Sequence, residues 1–292
     1  MKTILIAGQS VVDLMFEVSE LPAMPVKYRA SDMLLSIGGC AMVAAVAVAR
    51  LGGNPVLASR IGDDFFGDLI KDELEREGID TSYLARIKGA ETSVSSVCTD
   101  TDGERQIVNF RGANLGDLVD LPAIDFDAVL VDSRWEEGAS RALGIAAERG
   151  LPGIVDAEQP TPPRIAQLAS HVAFSAQGLL HFSGESDLDE ALVSASKRLP
   201  GWVSVTDGEN GTYTMNGNSV ERTPAFDIDA VDTTGAGDVW HGAFALRLAE
   251  TGCELEAVSF ANAAGALKCL EKGIPKGTPS RREVEEFLSA NR

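Results

Sequence analysis

Residues 229–245 read DIDAVDTTGAGDVWHGA, and the rest of the chain is best read outward from them. Thr233, Thr234, Gly235, Ala236 and Gly237 run directly into Asp238, after which an apolar helical stretch opens. Small residues let backbone amides crowd together with no Cβ in the way. At a helix start those amides lack intrahelical partners and carry partial positive charge, so the bend predicts an anion site. A carboxylate just inside such a bend can take a proton from a nucleophile while the amides hold developing negative charge. That pairing suits phosphoryl transfer to a hydroxyl. Taken alone, the same residues also suit a glycine turn closed by a helix-capping acid. The segment contains neither a GxxxxGK[ST] loop nor a protein-kinase catalytic loop.

Helices predicted at Gly237–Thr251, Glu254–Glu271 and Arg282–Ala290 follow the bend. Upstream, strand and helix signals alternate. Strands are expected at Ile4–Ala7, Val56–Arg60, Ala128–Asp132, Gly153–Asp156, Val172–Ser175 and Val203–Thr206. Helices are expected at Ala41–Leu51, Asp64–Glu77 and near Glu137–Arg149, the first two stopped by glycines. This βαβα rhythm predicts an α/β fold, a parallel sheet covered by helices on both faces. Residues 13–36 and 91–111 break the rhythm with alternating runs such as TSVSSVCTD and RQIVNF. They read as a small antiparallel sheet inserted into the main domain. Such a sheet, buried on one side only, would be marginal alone, which suggests pairing with a second copy.

The 292 residues suit one large α/β domain with a small appendage, or two domains. Lys and Arg number 25 against 44 Asp and Glu, a formal charge of −19. That balance argues against nucleic acid or an anionic membrane as partner, and an anionic substrate would need a local cluster of bases. Cys40, Cys98, Cys253 and Cys269 are scattered, with no CxxC pair and no metal-type cluster. A reducing, cytoplasmic compartment is the simplest expectation. MKTILIAGQS reads as a first strand rather than a signal segment, and no apolar run approaches a bilayer span.

The run DTTGAGDVWHGAFA resembles the C-terminal signature of the ribokinase or PfkB family of carbohydrate kinases. IGGCAMVAAVAVARLGG, from Ile37 to Gly53, resembles its N-terminal signature. The likeness extends over nearly the whole chain. It implies a single ribokinase-like three-layer α/β/α sandwich over residues 1–292, with a mostly parallel central sheet. A β-sheet lid, formed by about 13–36 and 91–111, covers the sugar site, and its outer face implies a homodimer. It also implies ATP and Mg²⁺, with Asp238 as base and the amides of Gly235, Ala236 and Gly237 stabilising the transferring group. Asp13, Gly38 and Gly39 fall where the family holds sugar hydroxyls, together with Asp238. Thr206, Gly208 and Gly211, in the turn Thr206–Gly211, fall on the nucleotide side with Thr234, Gly235 and Gly237. Asn262, Ala266 and the loop Glu271–Pro275 fall where the family walls the adenine. A monovalent cation, used by some relatives, would sit near Asp229 and Val231. His241 reads as helix packing rather than a catalyst.

There are two departures from the family. Val43 stands where many members carry a sugar-contacting Asn. Ser175-Ala176-Gln177-Gly178 stands in place of the metal-organising NxxE motif, which leaves no protein metal ligand assigned.

Lys27, Asn109 and Arg134 could converge as a clamp for an anionic group, or could be three separate surface residues. The runs VDSRWEEGA, GERQIVNF and the pair KY resemble the sulfofructose kinase branch of the family. That likeness implies phosphorylation of 6-deoxy-6-sulfofructose at its 1-hydroxyl, with Lys27, Asn109 and Arg134 around the sulfonate. Fructokinase, ribokinase or 6-phosphofructokinase activity is the nearer alternative. A noncatalytic sugar- or nucleotide-sensing protein on the same fold is the more distant one.

Overall fold

The computed structural model describes residues 1–117, 121 and 124–291. The central sheet starts with β1 (Thr3–Ala7), flanked by β4 (Asn54–Gly62) and β8 (Ala128–Asp132). It extends through β9 (Gly153–Ala157), β10 (His171–Ser175) and β11 (Trp202–Thr206), with β5 (Leu84–Ile87) outside β4. All these pairings are parallel. A polar hairpin, β12 (Thr212–Asn216) and β13 (Ser219–Thr223), adds two antiparallel strands at the β11 edge. The central strands are mostly apolar because both of their faces are covered, with Asp132 and Asp156 at the C-terminal ends of β8 and β9.

Alternate residues of β1 point into two cores. Ile4 and Ile6 pack with α1 (Cys40–Arg50), α2 (Phe65–Arg76), α7 (Ala236–Thr251) and α8 (Glu254–Lys268). Leu5 and Ala7 pack with α3 (Glu136–Arg149), α4 (Pro163–Leu168), α5 (Ala176–Ser183) and α6 (Leu188–Arg198). This is the expected three-layer α/β/α sandwich. Local signals set the helix ends. Asp64 caps α2 by accepting from the Gly67 amide at 2.8 Å, and Gly150 closes α3 in the left-handed region. Ser280 and Glu283 form a capping box on α9 (Arg281–Ala290). Among the described residues no helix is long and apolar enough to cross a membrane.

The two segments that break the rhythm form a separate four-stranded sheet. Its order is β3 (Asp32–Gly38), β2 (Val11–Glu17), β6 (Ser93–Thr99) and β7 (Arg105–Phe110). The outer pairs are antiparallel as expected. The central pair, β2 with β6, is parallel, because the chain passes through α1, β4, α2 and β5 before β6 enters beside β2. Helices α1 and α7 cross closely below this lid. A Cβ on Gly242 would lie 2.6 Å from the Ala44 carbonyl oxygen, so glycine there permits the approach.

Candidate functional site

Helix α7 starts where Gly235 takes the left-handed conformation (φ 75°, ψ 5°). Val239 is the first residue whose amide reaches back to Gly235, at 2.9 Å. Ala236 makes a long bond to the Thr233 carbonyl at 3.3 Å. Among the described residues the amides of Gly235, Gly237 and Asp238 have no backbone acceptor outside the helix, and Gly237 is exposed. The bend is held from behind by Asp232, whose carboxylate accepts from the Thr234 amide at 2.9 Å and the Gly273 amide at 3.0 Å. Lys268, wholly buried, completes the tie at 3.2 Å and also donates to the Asp232 and Glu271 carbonyls. Burial opposes the Asp232 charge, but the two amides and Lys268 outweigh it and hold its pKa below the ordinary value.

The bend opens into a cleft shared with the lid. Asp13, Ser36, Gly38, Gly39, Val43, Thr234, Gly235 and Asp238 line it, closed on one side by Gly273 and Ile274. A Cβ on Gly38 would overlap the Asp13 carboxylate, so the glycine makes room for it. Gly39 sits at φ 89°, and a Cβ there would meet the Gln9 carbonyl at 2.5 Å. Lid register places Ser36, Asp13, Ser95 and Asn109 side by side in one row. Cross-strand neighbours share a face, so the row points where Asp13 points. Asn109 donates to Ser95 Oγ at 3.1 Å. Burial pushes the Asp13 carboxyl up, and its bond from Ser95 partly opposes that.

Asp238, half-buried, occupies the floor of the cleft and has no ion-pair partner among the described residues. Burial, with Asp156 and Glu158 nearby, pushes its pKa up to about 8, against the Cys40 thiol and His241. Cys40 Sγ and one carboxylate oxygen each of Asp156 and Asp238 lie within 4.8 Å of one another. Asp156 is buried at the end of β9, with Oδ1 unbonded and 3.6 Å from His241 Nε2. His241 Nδ1 donates to the Gly237 carbonyl at 2.8 Å, so this buried ring braces the bend instead of facing the cleft. Asp132 likewise organises backbone, accepting from the Gln9 amide at 2.7 Å and the Arg134 amide at 2.8 Å.

Neither candidate metal position fits a directly liganded Mg²⁺. The Cys40–Asp156–Asp238 group offers a thiol, a donor that Mg²⁺ does not favour. At the counterpart of NxxE, the Ser175 hydroxyl is used in capping α5, and Gly178 packs against the Ala157 carbonyl. Asp229 and Val231 are exposed, and the Val231 amide is bonded to the Cys269 carbonyl at 2.7 Å.

The other expected residues divide clearly. Thr206 ends β11, and Gly208 (φ 49°) and Gly211 (φ 91°) shape the turn that follows it. Ala266 is half-buried on α8. Asn262 is not free to meet a ligand through its side chain. Its oxygen accepts from Thr212 at 2.7 Å and Trp240 at 2.8 Å, and its nitrogen donates to the Thr223 and Pro224 carbonyls. It braces the wall it was expected to present.

Lys27 is exposed in the 18–31 connection, without an ion-pair partner among the described residues. Arg134 is paired with Glu158 at 3.0 Å and donates to the Gln159 carbonyl at 3.1 Å. It lines a second hollow with Arg60 and Trp135, while the Asp238 cleft is lined without it. Asn109 thus joins the Asp13 row, whereas Lys27 and Arg134 do not assemble with it. Sequence reading missed Lys268, Asp156 and Arg105, whose Nη1 donates to Thr234 Oγ1 at 2.9 Å.

Residues 1–281 match the profile described as pfkB family carbohydrate kinase. The ribokinase of Bacillus subtilis (strain 168) is 29% identical over 99% of this chain and 100% of its own. Fructokinase-1 of Zea mays is 26% identical over 89% of this chain and 90% of its own. A solved structure from Agrobacterium tumefaciens superposes with a TM-score of 0.92 at 34% identity, covering 99% of this chain and 98% of that one.

The raised pKa of Asp238 has a consequence for stability. An acid that holds its proton more tightly in the folded state stabilises the fold at low pH. That contribution is full below the ordinary carboxylate value and is lost as pH rises through about 8. Asp238→Asn is therefore expected to melt near wild type at pH 4 and progressively above it toward pH 8, as read by thermal denaturation. A melting difference independent of pH would contradict the uncompensated burial of this carboxylate.

Proposed function

The chain belongs to the pfkB family of carbohydrate kinases, and we propose that it transfers the γ-phosphoryl group of ATP to a ketose hydroxyl held between Asp13 and Asp238. The observation that carries this reading is the unpaired Asp238 carboxylate in the cleft, beside the Gly235–Gly237 bend. Asp13 has lone pairs for two or more sugar hydroxyls, and Gly38 and Gly39 let backbone come close to the ring. Asp238 orients the reacting hydroxyl and takes its proton as the oxygen–phosphorus bond forms. The amides of Gly235, Ala236 and Gly237 face the oxygens of the transferring group. ATP lies along Thr206, Gly208, Gly211 and Ala266, with Thr234 at its phosphate end. Neither the Cys40–Asp156–Asp238 group nor the Ser175–Gly178 segment would ligate Mg²⁺ directly, so the ion would have to come with the nucleotide.

For the sugar we propose 6-deoxy-6-sulfofructose, phosphorylated at its 1-hydroxyl. The support is the resemblance of VDSRWEEGA and GERQIVNF to that branch, and the placement of Asn109 in the row of Asp13. Arg134 would exchange Glu158 for the sulfonate, and Lys27 would move in from the exposed connection. A neutral ketose such as fructose is the second reading. The observation favouring it is that Lys27 and Arg134 share no hollow with Asp238.

The outer face of the lid carries Leu35 and Met33 of β3 and Val108 and Phe110 of β7, exposed by 41%, 57%, 69% and 48% respectively. We propose that a second copy of this chain covers it, which would remove a one-sided sheet from water. The four free cysteines suit a reducing, cytoplasmic setting.

A coupled assay of ADP release across sulfofructose, fructose, fructose 6-phosphate and ribose decides the substrate. Sulfofructose is expected to give the highest kcat/KM. Arg134→Ala is expected to reduce it by about 100-fold on sulfofructose, the scale of a lost charged contact, and only slightly on fructose. Equal losses on both sugars would contradict the sulfonate contact. For the dimer, Val108→Asp with Leu35→Asp is expected to sediment as a monomer beside a dimeric wild type. Identical sedimentation of the two would remove the lid face as the interface.

A further inference from the structure

Arg105 opens β7 at the edge of the lid, yet its guanidinium reaches the body of the protein. Its Nη1 donates to Thr234 Oγ1 at 2.9 Å, and Thr234 immediately precedes the glycine bend. The two residues are 129 positions apart, so only the docked lid brings them together. Two other contacts seat the lid on the neighbouring 271–275 loop. Ser36 Oγ donates to the Ile274 carbonyl at 3.0 Å, and Glu17 pairs with Lys272. Asp232 ties that loop to the bend through the Gly273 amide at 3.0 Å. The Arg105 charge and the other lid contacts thus reach the same corner of the body together.

The charge on Arg105 is available. It has no carboxylate partner among the described residues, in a chain where acids outnumber bases 44 to 25. Thr234 offers a neutral hydroxyl and engages one of the five guanidinium N–H groups. Arg105 is not itself in the lining of the Asp238 cleft, but its bond to Thr234, which is, leaves an unneutralised cation one residue before the bend. A phosphoryl group in transfer spreads negative charge over three equatorial oxygens. Amides at a helix start reach it from one side, and a planar guanidinium fork suits the remaining oxygens.

We propose that Arg105 is a catalytic residue lent by the lid, binding the transferring phosphoryl group opposite the Gly235–Gly237 amides. This deepens the kinase reading above and rests on it. The bond from phosphorus to the ADP oxygen breaks, the bond to the sugar oxygen forms, and the hydroxyl proton passes to Asp238. Arg105 takes no part in the proton transfer and contributes charge alone.

The test compares wild type with Arg105→Gln and Arg105→Lys, on the ketose that the wild type turns over best. Arg105→Gln is expected to lose about 100-fold or more in kcat, the scale of a missing charge-stabilising donor, with both KM values near wild type. Arg105→Lys is expected to recover part of the loss, since it restores a point charge without the fork. A second readout is binding of ADP with aluminium fluoride in the presence of sugar. Arg105→Gln is expected to weaken that complex while leaving the affinity for ADP alone unchanged. A lid latch with no role at the phosphoryl group would raise the KM for sugar and leave kcat and the fluoride complex intact. That outcome, or near-native kcat in Arg105→Gln beside an active wild type, overturns the role of Arg105 and leaves the kinase reading standing.

Discussion

Two glycines in the left-handed region fix the geometry on which everything else depends. Gly39, at φ 89°, turns the chain into α1, and Gly235, at φ 75°, turns it into α7. Any other residue would carry strain of about 1–3 kcal/mol at each position. Gly242 then lets the two helices cross in contact. Both N-termini consequently open into one cleft, with Cys40 in the first turn of α1 and Asp238 in the first turn of α7. Helix starts favour negative charge, but only by about 0.3–2 kcal/mol. Burial of Asp238, with Asp156 and Glu158 nearby, acts in the opposite direction and prevails, since its pKa rises to about 8 instead of falling.

This balance connects stability to chemistry. Asp132, Asp156, Glu158 and Asp238 collect around the floor of the cleft in a chain already at −19. Arg134 is engaged with Glu158, and Lys268 with Asp232. A fold selected for stability alone would pair Asp238 as well. Without an ion pair among the described residues, and despite the Cys40 thiol beside it, Asp238 has raised basicity in the cleft that a hydroxyl would enter. The same excess of acid opposes a polyphosphate in the cleft, and in the proposed reaction the amides of the bend and Arg105 would offset it.

Much of this was legible in the sequence, because the informative signals are local. The strand at Ala128–Asp132 has the bounds expected from its apolar run, and the glycine stops located the ends of α1 and α2 to within a residue or two. Asp13, Gly38, Gly39, Thr234, Gly235 and Asp238 were expected together from the signatures and the family resemblance, and the fold does gather all six around one cleft. The β12–β13 hairpin was not anticipated, since TYTMN and SVERT are polar strands at a sheet edge with little apolar alternation. Helix α4, six residues long and opened by proline, is too short for a periodic signal. Lys268 reads as a surface residue of an alanine-rich helix until a crossing segment supplies Asp232. Arg105 and Asp156 are similar cases, because their partners are distant in sequence. Charges such as Lys27 and Arg134 can be counted along a chain, but the distance between them is a property of the folded molecule.

The direct test of the whole arrangement is the rate of sugar-dependent ADP release by Asp238→Asn, measured beside its affinity for ATP. Loss of about 1,000-fold or more in turnover, with ATP binding and fold retained, is the result expected of a removed base that also orients the hydroxyl. Near-native turnover would show that the carboxylate in the cleft is not what activates the sugar.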